Sequence, residues 1–529
     1  MSAAGREPRR PRVLLIGLDA GDRELIEHWE QQGLLPTISK LKASGTWASL
    51  HTTADVLHVS AWPSIFTGTT PDKHGLYHAY VMQAGQQSPA RPRPDQCPVP
   101  FLWKTLSDHG KRCVVIDAFL TCPLQNFNGV QIVDWGSWTW FWGQSVLPES
   151  LAKDIAAKFG PYPAEDHSKV GMTPPPDPEG FRDRLLAAVT KKAEVAKWLI
   201  ATQEWDFFLV VFGESHAAGH YFWHFQDSSY IAHVQTNKEK LQNALRDVYV
   251  ALDRAAGELL QAAGEDTLVM LVSGDGMGPN YSGSHILGPL LERMKLLNDA
   301  GNEGKTAQPK TRRDLLASLR SLVPKSVRVA ISRTLLPRKL NEKLSMRWKT
   351  AGIAWDRTRA FLIENANEGF IRINLKGREP EGIVQAGEEY ERLRDELAQT
   401  ADSMVNPANG RRAAHAVFKT DELYHGPCRR HMPDVIVTWD PGAQVTTELH
   451  SDRYGTARSA QPAYAVTPYY TGNHRPNAFA AIVGPGVPAG RVLRDASILD
   501  LAPTIFARFG VEPPADMDGE ALRELVGPE

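Results

Sequence analysis

Six short aliphatic and β-branched runs limit what this chain can become: "RVLLIGLD" from residue 12, "RCVVID" from 112, "DFFLVVFG" from 206, "TLVMLVSGDG" from 267, "PDVIVTW" from 433 and "AFAAIVGPG" from 478. Uninterrupted runs of this kind, each closing in polar or glycine residues, predict strands buried on both faces of a parallel sheet. Between them, "FRDRLLAAVTKKAEVAKWLIATQ" and "KLQNALRDVYVALDRAAGELLQAA" repeat apolar residues at spacings of three and four, the helical period. Strand, helix and strand in alternation predict a doubly wound α/β core, a mostly parallel central sheet flanked by helices. The chain has 529 residues, 42% of them hydrophobic, enough for a large core and two or three structural units.

Two regions break the alternation and are expected to be cap segments inserted in a core spanning 10–529. The first, 136–185, opens with Trp138, Trp140 and Trp142 and runs through "GMTPPPDPEG". Aromatics at that density suit the core of a small cap. The second, 300–350, is rich in Lys and Arg with leucines at helical spacing, as in a solvated helical cap.

The formal charge of −2 gives no electrostatic case for nucleic acid or an anionic membrane as partner. No apolar run approaches the roughly 18 residues that span a bilayer. "MSAAGREPRRPR" at the start lacks the apolar stretch and cleavage site of a secretory signal. The four cysteines, Cys97, Cys113, Cys122 and Cys428, lack the spacing of a zinc knuckle and suit a reducing compartment. A cytoplasmic protein acting on a small molecule is the expectation, with oligomeric state left open.

Chemistry gathers where the runs end. In "FFLVVFGESHAAGHYFWH", residues 207–224, His216 and His220 stand one helical turn apart just after a strand, so both imidazoles share a face at the mouth of the sheet. Asp19 in "LLIGLDAGD", His58 in "LHVSAWPSIF", Asp275 in "LVSGDGMGP" and His474 in "YYTGNHRPNAF" fall at the same predicted edge. Singly, the two aspartates suit helix N-caps, and His58 and His474 suit loop and turn positions. Together they have the composition of a two-metal hydrolytic centre.

The chain resembles the alkaline phosphatase superfamily, in its type I phosphodiesterase and nucleotide pyrophosphatase branch. The likeness lies in "SAWPSIFTGTTPDKHGLYH", in "GFIRINLKGREPEG" from 369, and in "GNHRPNAFAAIVGPGV" with "ASILDLAPTIFARFGVEPPADMDG" near the end. It implies an alkaline-phosphatase-like sheet, two divalent metal ions and attack by a threonine or serine through a covalent phospho-enzyme. Asp19, His220 and His474 match the family's ligands. Three positions depart from the pattern. His58 stands where the nucleophile belongs, His216 where an aspartate precedes the histidine by four, and Gly274, Asp275 and Gly276 replace Asp-His-Gly.

The substitutions exchange ligand types without removing many. One expected site is His216, His220 and His474, suited to Zn, Mn or Fe; the other is Asp19, His58 and Asp275. The expected activity is metal-dependent phosphoester hydrolysis, phosphodiesters first, phosphonates or sulfate esters behind. His58 would be the nucleophile, or a ligand beside a metal-bound hydroxide that attacks a phosphotriester or other neutral ester directly. An inactive, metal-stabilised binding protein is the third reading. Glu214 is expected as a general base or orienting carboxylate, Ser60 and Thr53 as reserve hydroxyls in turn positions, and His285 as a structural residue.

Overall fold

The run at residue 12 forms strand β1 (Arg12–Leu18), buried from Val13 onward because it is flanked on both sides by parallel strands from distant parts of the chain. The computed structural model describes residues 10–136, 142–164, 177–299, 352–466 and 470–525. In chain order β1 is followed by β2 (Thr46–His51), β3 (Cys113–Ile116), β4 (Gly129–Val133), β5 (Ser145–Leu147), β6 (Phe207–Phe212) and β7 (Thr267–Ser273). With two late strands they make a nine-stranded sheet in the order Arg491–Ser497, β2, Ala478–Val483, β7, β1, β6, β3, β4, β5. Pairing is parallel from β7 through β4, and Ala478–Val483 runs antiparallel to both β2 and β7.

The two faces of β1 enter different cores. Leu14, Ile16 and Leu18 join one cluster with Phe181, Leu185, Leu245 and Leu252 of the helices Pro178–Thr202 and Ala244–Ala263. Val13 and Leu15 join the other, with Ile65, Leu106 and Ile505 of the helices Ala61–Thr67, Leu102–Asp108 and Leu501–Phe509. Alternate side chains thus meet helices above and below, the arrangement that the continuous apolar runs predict. The doubly wound α/β class is what the chain adopts.

Two expectations change. "PDVIVTW" contributes Val435–Trp439, but to a separate four-stranded antiparallel sheet in the order Ala414–Lys419, Val435–Trp439, Gly369–Ile373, Ala360–Leu362. A short buried run carries no mark of strand direction, and this one packs over its own cluster with Ile371, Ile373, Leu393 and Leu397. Within 136–185, the described residues form an edge strand, β5, the helix Glu149–Phe159, whose Leu151 and Ile155 belong to the main core, and the first turns of the helix Pro178–Thr202. The strand and the first of these helices are built into the sheet edge. Trp138, Trp140 and the whole of 300–350 lie outside the described residues.

Candidate active site

Parallel strands place their C-terminal ends on one edge, and the candidate residues follow from there. Asp19 comes directly after β1, and Asp275 follows β7. His216 and His220 lie in the helix Glu214–Gln226, which starts two residues beyond β6. His58 opens a single 3-10 turn, His58–Ser60, after β2. His474 lies in the short strand Gly472–Arg475, paired antiparallel with Gly276–Pro279. Asp22 ties these pieces together from beneath: its carboxylate accepts from the Met277 backbone N–H (3.1 Å) and from Arg475 Nε (2.7 Å) and Nη2 (2.6 Å).

Three imidazoles converge. His216 Nε2 lies 2.9 Å from His220 Nε2 and 3.2 Å from His474 Nε2, and among the described residues this is the one trio of His, Cys, Asp or Glu with ligand spacing. Their other nitrogens explain the aim. His220 Nδ1 donates to Gly472 O at 2.7 Å, leaving Nε2 as the lone-pair nitrogen. His474 Nδ1 lies 2.6 Å from Asp275 Oδ2, which can accept its proton while Nε2 turns inward. Neutral imidazoles oriented by a carbonyl and a carboxylate are the usual support of a metal-ligand set. The spacings fall a little below the roughly 3.3 Å between nitrogens around a tetrahedral ion with bonds of about 2.0 to 2.1 Å. The donor set fits one divalent ion.

Close approach of two backbones makes this possible. A Cβ on Gly472 would lie 2.2 Å from Gly219 O, and one on Gly219 would lie 2.6 Å from Met277 Cγ. The histidine helix therefore presses directly on the His474 hairpin. Gly472→Ala is expected to cost about 1 to 3 kcal/mol by overpacking and to weaken ion binding, because the hairpin must retreat from the helix. Chemical denaturation and ion titration of the variant check both effects; unchanged affinity would contradict the role given to the glycine.

Burial sets the protonation states. It drives His220 down to about 3, and it lowers His474 well below its ordinary value, helped by His58, His216 and His220. Asp275 is raised well above the carboxylate range, first by burial and then by the charge of Asp19. Away from this centre, burial also lowers His74 to about 3 and His224 to about 4. An unfolded histidine titrates near 6.5, so between that pH and about 3 the unfolded chain binds more protons than the native one. For these histidines stability is present above about 6.5 and is lost as pH falls. Asp275 acts in the opposite sense, its contribution being present at low pH and lost as pH rises through its folded value. Among the described residues six histidines are lowered (His74, His220, His224, His285, His431, His474) against four carboxyls raised (Asp55, Glu214, Asp253, Asp275), so the ion-free protein is expected to melt at a lower temperature at pH 5 than at pH 7 in calorimetry. A flat or inverse profile would contradict the buried neutral imidazoles.

His58 meets the cluster from the side, its ring stacked on His474 with centroids 4.3 Å apart. Its Nδ1 lies 2.8 and 2.9 Å from the two oxygens of Glu368, a buried residue that enters from the four-stranded sheet. Burial alone would raise the Glu368 carboxyl; the His58 charge and hydrogen bonds from His58 and Asn365 outweigh it and hold the group below its ordinary value. Sequence reasoning missed Glu368. It directly precedes the quoted "GFIRINLKGREPEG" segment, and its only local signal is an acid at the start of a strand.

The second expected ligand set, Asp19, His58 and Asp275, is not gathered among the described residues. Asp275 is turned to His474, and His58 to Glu368. Asp19 Oδ1 accepts from Trp62 Nε1 at 2.7 Å, and its Oδ2 lies 3.8 Å from His216 Nδ1. The expectation for Glu214 is also corrected. Helical residues two apart point to different sides, and Glu214 Oε1 accepts from Tyr162 at 2.7 Å and pairs with fully buried Lys192 at 3.5 Å. Lys192 in turn reaches Asp117 at 3.0 Å, so this network anchors the first turn of the histidine helix. Ser60 Oγ lies 2.6 Å from Leu57 O and 2.8 Å from Thr53 Oγ1, and His285 Nε2 lies 2.8 Å from Thr446 O. These three residues are held within the scaffold.

A doubly wound sheet with its polar residues gathered at the C-terminal strand ends defines an α/β protein with its site at that edge. The chain belongs to the type I phosphodiesterase / nucleotide pyrophosphatase family, whose model matches residues 13–474, and so to that branch of the alkaline phosphatase superfamily. Similar solved structures include phosphonoacetate hydrolase from Sinorhizobium meliloti 1021, at 12% identity and a TM-score of 0.49 over 94% of this chain and 95% of that one. Murine ectonucleotide pyrophosphatase / phosphodiesterase 5 is similar at 10% identity and 0.48, over 95% and 96%. The human form reaches 12% and 0.48, over 97% and 98%. No curated protein matches the sequence. Among the described residues no helix is long and apolar enough to cross a membrane.

Proposed function

We propose that the chain is a metal-dependent phosphoester hydrolase, acting first on phosphodiesters and related nucleotide pyrophosphate bonds, with His58 as the attacking residue. The observation that carries this reading is the convergence of the His216, His220 and His474 Nε2 atoms beside a fourth, separately held imidazole. His216, His220 and His474 would hold one divalent ion, Zn, Mn or Fe by donor type. When bound, such an ion acts as a Lewis acid that draws charge from a phosphoryl oxygen. The chain's own residues do the rest. Asp275 and Gly472 O keep the ligand rings in register, and Trp62 holds Asp19 at the rim. His58, in the position where the family resemblance places a hydroxyl nucleophile, offers nitrogen instead. Phosphonates and sulfate esters follow as weaker substrates. The four cysteines, free in the structure, suit the cytoplasmic location expected from their number.

The test is a panel of aryl phosphomonoesters, diesters, phosphonates and sulfates, assayed with Zn, Mn and Fe, followed by stereochemistry on a chiral phosphorothioate diester. Turnover of the diester with retention at phosphorus supports a covalent route through His58. Inversion would replace it by direct attack of water. An ion-loaded protein that turns over no member of the panel would point to a binding protein.

A further inference from the structure

The grip on His58 comes from outside the main sheet. Glu368 ends the loop that leads into Gly369–Ile373, and besides bonding Nδ1 through both oxygens it accepts the His58 backbone N–H at 2.9 Å. The loop is itself pinned to the site. Ser282 Oγ donates to Asn367 O at 2.7 Å, and Asn473 Nδ2, next to His474, donates to Ala366 O at 3.2 Å. Asn365 Nδ2 donates to Glu368 Oε2 at 2.5 Å, and Asn367 Nδ2 to Oε1 at 3.4 Å. Glu368 is 3% exposed, so little water competes for its oxygens.

A carboxylate only accepts, so the shared hydrogen sits on Nδ1 of His58. In the neutral form of His58 that is the ring's one N–H, which leaves Nε2 with its lone pair. We infer that Glu368 is the positioning residue of phosphoryl transfer to His58: it holds the nucleophilic tautomer and faces the positive charge that the ring acquires when Nε2 bonds to phosphorus. The inference rests on the phosphoester hydrolysis proposed above and names the group that would make a histidine serve there. As the Nε2–P bond forms, the P–O bond to the leaving group breaks, and the leaving oxygen takes the electron pair and a proton from solvent. The Nδ1 hydrogen stays on the ring, opposite Glu368. Water then bonds to phosphorus, the N–P bond breaks with its electron pair returning to Nε2, and the water's proton passes to solvent. An orienting carboxylate of this kind acts through tautomer and charge.

The experiment compares wild type, Glu368→Gln and Glu368→Ala in the full chain loaded with Zn or Mn, with bis(4-nitrophenyl) phosphate as probe. In Glu368→Ala, kcat should fall by roughly 100-fold with KM changed by less than about threefold and ion content unchanged. Glu368→Gln keeps an acceptor for Nδ1–H without the charge and should fall between the two. The 4-nitrophenylphosphoryl adduct on His58 Nε2, acid-labile at its N–P bond, should accumulate in wild type and be lost in Glu368→Ala. In parallel, 15N-histidine NMR, with the His58 signals assigned by His58→Gln, should show the Nδ1–H tautomer in wild type and a mixture in Glu368→Ala. Wild-type kcat in Glu368→Ala would overturn the inference, as would a loss of turnover matched by equal loss of bound ion and melting temperature. A wild type without turnover would sink the proposed function; the tautomer then decides alone, and an unchanged His58 tautomer in Glu368→Ala overturns the role of Glu368.

Discussion

His58→Ala should lower turnover of a phosphodiester by roughly three orders of magnitude or more while the bound ion stays in place, because loss of a nucleophile removes the covalent route outright. The separation of the two readouts follows from the geometry. His58 contacts His474 by ring stacking at 4.3 Å, but the three Nε2 atoms that meet belong to His216, His220 and His474. Its removal leaves Glu368 buried without its main partner, so some loss of stability accompanies the loss of rate. Elemental analysis beside steady-state kinetics distinguishes the outcomes. A variant that loses its ion in step with its activity would make His58 a ligand, and one that keeps its activity would remove it from the chemistry altogether.

His220→Ala should do the reverse, emptying the site and abolishing turnover together. His220 is fully buried, donates to Gly472 O, and stacks on Tyr470 with centroids 3.7 Å apart. Truncation thus removes a ligand and opens a cavity where the helix presses on the hairpin. A ligand present at 100 times its dissociation constant stabilises the folded state by about 2.7 kcal/mol. Wild type should accordingly melt at a higher temperature when Zn or Mn is added, and His220→Ala should not respond. An equal thermal response in both proteins would place the ion elsewhere.

The sequence made the main sheet legible because its central strands are buried on both faces and their runs are uninterrupted; β1, β6 and β7 need no other signal. Val435–Trp439 has the same texture and belongs to the other sheet, since burial fixes apolar character and leaves strand direction open. The helical spacing of His216 and His220 exposed their shared face, and His474 entered through its family-like segment. Asp275 was located by its strand end, yet its role depends on a contact with residue 474 that no local pattern encodes. Glu214 sits in the right helix on the wrong side. Glu368 reaches His58 across 310 residues of sequence from a loop of a different sheet, and only the folded chain brings the two together.

If one ion held by His216, His220 and His474 makes this chain a phosphoester hydrolase, adding Zn or Mn stepwise to the demetallated protein should raise bis(4-nitrophenyl) phosphate hydrolysis from background until it levels off sharply at one equivalent per chain. A rate that stays at background with the ion bound, or a break at two equivalents, would show that the three-histidine ion is not what drives hydrolysis.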